Sequence, residues 1–184
     1  MKKFFLFFFP KHKDRGGYTM LETVVYVGVL SVVVIAVFTI LFSITRAFTN
    51  ARIYSEMEVS GTTAMERMAR EIRTAVSVDE GNSILDDANG DGHGQLQLNT
   101  TDDAGSAKTV QFYFDAANKT VNLVDNAIDK GALTGDGVEV TNLVFRKWDT
   151  TKSSLVKIEM TIKSKKKATT TAEFYDSVVL RGGY

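Results

Sequence analysis

Residues 23–45 contain no charged side chain and no proline, and nothing else in the sequence limits the fold so tightly. About 20 such residues in helical form cross the hydrocarbon core of a bilayer. A helix that is apolar on every side can also lie buried in the core of a large protein. The 184 residues here, however, amount to one ordinary domain plus one further element, and a domain of that size does not enclose such a run. The sequence therefore predicts a single transmembrane helix.

Charge sets its direction. The totals balance at 22 basic and 22 acidic residues, but within residues 1–17 Lys2, Lys3, Lys11, Lys13 and Arg15 stand against Asp14 alone. Arg46 and Arg52 follow the apolar run. An excess of cations on the N-terminal side predicts a cytoplasmic N-terminus and an extracytoplasmic C-terminal domain. With no cysteine in the chain, disulfides, thiol catalysis and thiolate metal sites are excluded. The remaining ~110 residues must be held by an ordinary apolar core, for which they suffice.

The beginning, "MKKFFLFFFP", starts like a secretory signal, yet its apolar stretch ends at Pro10, short of the ~7–15 residues of a signal core. A second basic cluster and a glycine pair follow, then the long apolar run. That order suits a chain cut before its membrane span. Glu22 adds a second oddity, because a carboxylate at membrane depth is costly and marks function.

The segment "GYTMLE", residues 17–22, resembles the processing motif of type IV pilin-like proteins, usually Gly-Phe-Thr-Leu-Ile-Glu. The resemblance implies that a prepilin peptidase cuts after Gly17 and that Tyr18 becomes the methylated N-terminus. It also implies that Glu22 meets the N-terminal amine of a neighbouring subunit's Tyr18 during filament assembly. Such an ion pair offsets a desolvation cost that neither group bears alone. The plainer alternative leaves Glu22 wet at the headgroup level. The ending "AEFYDSVVLRGGY" is most like minor pilins and the J-type minor pseudopilin of type II secretion. Two departures from major pilins fit this: no cysteine pair closes a loop, and Thr39 stands where a helix proline often occurs.

Past the span, residues 46–78 read as an amphipathic continuation of the helix. Ile53, Met57, Met65, Met68, Ile72, Ala75 and Val76 form one stripe at spacings of three and four. Charged residues lie opposite, with Glu66 and Arg70 at a favourable i, i+4 interval. Gly61, among threonines, reads as a point where the helix loosens. Alternation then replaces helical period, giving strands over 94–100, 109–115, 120–125, 138–146, 155–164 and 172–181. In "VKIEMTIK", Val156, Ile158, Met160 and Ile162 face one side, and "DAANK" and "TGDG" read as turns. The expected class is α+β: a long N-terminal transmembrane and amphipathic helix packed on a small antiparallel β-sheet. The expected organisation is a leader (1–17), an assembly helix (18–45), its amphipathic continuation (46–78) and a sheet domain (79–184).

Two further motifs suggest ligands. "DANGDGHG" has the Asp-x-Asn-x-Asp-Gly spacing of a calcium loop, with Asp86, Asp87, Asn89 and Asp91 as ligands, although Leu98 occupies the place of the usual bidentate glutamate. A plain turn is the alternative. In "KSKKK", Lys163, Lys165, Lys166 and Lys167 could neutralise the phosphates of DNA, or simply solvate a hairpin tip. Catalysis is not expected: His93 is the one histidine beyond the leader, and neither a His-Glu-x-x-His nor a phosphate-binding glycine loop occurs. The sequence thus points to a non-enzymatic minor pilin or pseudopilin. Its partners would be prepilin peptidase, fellow subunits and membrane lipid, and it would reach the periplasm or cell surface in a filament. The alternative is a single-pass tethered binding domain outside any filament.

Overall fold

The computed structural model describes residues 19–102, 104–151 and 153–180. The chain divides into two compact units, Met1–Ala47 and Phe48–Tyr184.

In the first unit, helix α1 (Met20–Thr74, which continues into the second) opens at a cap. Thr19 Oγ1 accepts the amide hydrogen of Glu22 at 3.2 Å; the spacing Thr-x-x-Glu is that of a capping box, and the hydroxyl satisfies an amide that has no helical partner. Within the apolar run, Ser31, Thr39 and Thr45 donate to the carbonyls of Val27, Ile35 and Leu41 four residues earlier. Every hydroxyl of those three is thereby satisfied without water, as a hydrocarbon environment requires. The most apolar window of α1 is long enough to span a membrane and none of it is buried. Large apolar side chains from Met20 to Phe48 stand exposed on all sides.

In the second unit the C-terminal part of α1 buries Ile53, Met57, Gly61, Ala64, Met65, Met68, Ala69 and Ile72, a stripe of threes and fours as expected. Three details differ from the sequence reading. The helix stops at Thr74, not 78: the Ala75 amide still bonds to Glu71 O, whereas the Val76 amide turns to Asn99 O and starts a strand pairing. Val76 is consequently exposed. The i, i+4 ion pair is Arg67 with Glu71 at 2.7 Å, not Glu66 with Arg70. Gly61 does not loosen the helix, which runs through it unbroken; the ring of Phe174 fills the space its side chain would take, 2.2 Å from an added Cβ.

The β region forms two antiparallel sheets, where the sequence had suggested one. The first is a meander of β1 (Ser77–Val78), β2 (Gln95–Thr101), β3 (Ala107–Asp115), β4 (Thr120–Asp125) and β5 (Ile128–Ala132); the second is β6 (Val138–Asp149), β7 (Ser154–Ser164) and β8 (Thr171–Val179). A short 3-10 helix, Glu80–Asn82, follows β1. Strand β5 has no alternation to betray it, being an edge strand of mostly exposed residues. It returns along β4 through a two-residue turn, Asn126 and Ala127, both at positive φ, the primed hairpin geometry that matches strand twist.

Both sheets contribute to one apolar core with the helix stripe: Leu96, Leu98, Phe112 and Leu123 from the first, Phe145, Ile158, Met160 and Ile162 from the second. The β6–β7 register shifts between Val140 and Asn142. That bulge inserts one residue, so the positions in the shared core change from Val138 and Val140 to Leu143 and Phe145.

Candidate functional site

The N-terminal end of α1 brings together Thr19, Glu22 and Tyr26. Thr19 caps the helix at the Glu22 amide, and Tyr26, one turn on, donates its hydroxyl to Glu22 Oε1 at 2.9 Å. Glu22 thus has its backbone amide and one carboxylate oxygen engaged locally. Sequence reasoning singled out Glu22 but missed Thr19 as its cap and Tyr26 as its donor. The signals were present: a Thr-x-x-Glu spacing and a Glu-Tyr pair at i, i+4. Gly17 and Tyr18, expected as the cleavage and methylation sites, lie outside the described residues.

In the loop before β2 the expected calcium ligands engage neighbouring protein groups. Asp87 Oδ1 accepts the Gly92 amide and Asp91 Oδ1 the His93 amide, each at 2.9 Å. Asp91 Oδ2 lies 3.3 Å from His93 Nδ1, and Asp86 Oδ1 is 3.9 Å from an Arg146 guanidinium nitrogen. Asn89 is exposed. Among the described residues no three histidine or carboxylate side chains converge as a metal site. The glycines have a packing reason instead. A Cβ on Gly92, at φ +69, would fall 2.2 Å from Asn142 Oδ1, and one on Gly94 would fall 2.6 Å from Leu143 O. The loop therefore crosses β6 at backbone contact. His93 stacks on Phe114 with centroids 4.2 Å apart.

The lysine run sits at the β7–β8 turn. Lys163 pairs with Glu139 at 3.0 Å, Lys166 with Glu56 at 2.7 Å, and Lys167 Nζ donates to Asn50 Oδ1 at 3.2 Å. Two lysines thus reach from the turn to α1. The Lys165 amide donates to Gly137 O. The turn is firmly built: the buried Ser164 hydroxyl accepts the amides of Lys166 and Lys167, the Ser164 amide donates to Thr170 O, and the Thr170 amide donates to Lys167 O.

Elsewhere the charges tie strands together. Glu139 lies between Lys163 and Lys119, which hold its carboxyl below the usual range, Lys163 foremost. Glu159 is lowered likewise by Lys157 and then Arg146. Lys147 bridges Asp149 and Glu80, and both hold its ammonium above its ordinary value.

No family model, curated protein or solved structure matches the chain.

Proposed function

We propose that this chain is a minor structural subunit, a minor pilin or pseudopilin, of a type IV pilus-like or type II secretion filament. It enters the filament after prepilin peptidase cuts behind Gly17 and methylates Tyr18. One observation carries the reading: the apolar part of α1, exposed on every side, holds one carboxylate, Glu22, in its first turn, as the last residue of the Gly-Tyr-Thr-Met-Leu-Glu motif behind a basic leader. The long helix packed on antiparallel sheets suits that role.

The chemistry is ion pairing in a medium of low dielectric. Tyr26 occupies Glu22 Oε1, so the charge is partly solvated by the subunit itself before assembly. The amine of a neighbour's Tyr18 takes Oε2. Subunits associate through this pair and through van der Waals packing of their apolar helices, while the sheet domain stays outside the bilayer.

The test is the N-terminal mass of the chain co-expressed with a prepilin peptidase. The expected product begins at methylated Tyr18 and disappears in Gly17→Ala. An intact leader in both, with the peptidase cutting a control substrate, would sink the filament reading and leave a tethered extracytoplasmic binding domain.

A further inference from the structure

We infer that the lysine turn between β7 and β8 is a docking element for anionic lipid headgroups, holding the sheet domain against the membrane in which its own helix is inserted. The inference rests on the transmembrane reading of residues 23–45 and is independent of filament assembly.

The first support is proximity fixed by the chain. Lys167 is hydrogen-bonded to Asn50, and Asn50 is five residues beyond Thr45, where the charge-free run ends. A chain extends at most ~3.5 Å per residue, so Asn50 stays within about 18 Å of that boundary in any arrangement. The turn and Asn50 belong to one compact unit, Phe48–Tyr184, so the turn cannot move far from the surface.

The second support is charge. Arg52 lines the same groove as Glu56, Asp136 and Gly137; Lys166 pairs with Glu56, the Lys165 amide bonds to Gly137 O, and Lys167 follows in the same turn. Four cations stand against the two carboxylates of Glu56 and Asp136, so the neighbourhood is net positive. Its lysines can be exchanged: the Lys166 and Glu56 side chains are 54% and 38% exposed, and an exposed pair of this kind holds weakly. A lipid phosphate can take Lys166 from Glu56 at little cost. The rigid turn meanwhile presents Lys165, Lys166 and Lys167 from consecutive positions. Each lysine near an anionic surface favours the docked state roughly fivefold.

DNA offers phosphates too. Against it stands the tether, which holds these lysines near a lipid surface while the helix is inserted, and no aromatic side chain is interleaved with them to stack on bases.

The full chain contains no cysteine, so Ala168→Cys gives one labelling point at the turn. The labelled chain is reconstituted into vesicles of phosphatidylcholine, with or without phosphatidylglycerol, that carry a headgroup nitroxide quencher. Insertion is verified by resistance to alkaline extraction. Quenching should rise with phosphatidylglycerol, and should fall to the phosphatidylcholine level in K165Q/K166Q/K167Q and in ~1 M salt, where screening acts over ~3 Å. Glu56→Gln, which frees Lys166, should increase it. Equal quenching in the two lipid mixtures, or no response to the triple variant, would overturn the inference. So would release of the chain by alkali. Loss of duplex DNA binding in the triple variant without any lipid dependence would overturn it in favour of nucleic acid. N-terminal processing is scored separately, so the filament proposal and this one can fail independently.

Discussion

Gly61 shows what a single residue can hide. A glycine within a helix ordinarily costs ~1 kcal/mol relative to alanine, and among threonines it reads as a weak point. The structure gives it the opposite role, because three carbons of the Phe174 ring lie within 2.8 Å of where a Cβ would stand. Gly61→Ala should therefore destabilise by ~1–3 kcal/mol, as overpacking does, in spite of alanine's better helix propensity. The detergent-solubilised chain would show this as a lower melting temperature, and Phe174→Leu in the same chain should recover part of the loss. An unchanged or raised melting temperature in Gly61→Ala would disprove the contact. A sequence displays the missing side chain but not the ring from β8 that replaces it. Glu22 is the converse case: its charge in an apolar run is visible at once, whereas its partner Tyr26 is one apolar-looking residue among many.

Among the elements, β7 was the most legible. Val156, Ile158, Met160 and Ile162 alternate in the sequence and are all buried, since the strand is central, with β6 and β8 on its flanks. Ile158→Ala should cost ~2–5 kcal/mol by opening a cavity there, whereas Trp148→Ala, at a site 48% exposed, should change stability far less in the same denaturation series. Strand β6 was legible only in part, because the bulge beyond Val140 reverses which parity faces the core. β5 was not legible, since an exposed edge strand has no buried face to impose a pattern. The cross-strand carboxylates make acid the weak side of these sheets. Glu139 and Glu159 have folded values lowered from the ordinary carboxylate value of the unfolded chain. Their stabilising contribution is complete above that value and is lost as pH falls through the folded ones. Melting temperature should thus hold steady toward mild acidity and then decline, with a shallower decline in Glu139→Gln/Glu159→Gln. An identical acid limb in that double variant would count against the pairs.

On the scale of the whole molecule, the division between an apolar helix and an α+β domain was readable from charge and hydropathy alone, because a run apolar on every side and a half-buried one carry different patterns. The second sheet was not, since nothing in a list of strands says which neighbours pair. Topology yields a direct prediction: protease added to right-side-out vesicles should remove the C-terminal domain and leave a membrane-held fragment ending near residue 50, whereas full protection would reverse the orientation. In a cleaved population, Glu22→Ala should still be processed at Gly17 yet be recovered outside the filament fraction; equal incorporation would remove the charge-pairing account. The two meanders have one more consequence. Within each sheet every strand pairs with the one just before it in sequence, and the first sheet ends at Ala132 before the second begins at Val138. Such local pairing keeps loop-closure costs low and folding fast. A chain emerging in the order of its sequence can therefore complete the pairing of one sheet before the other has appeared.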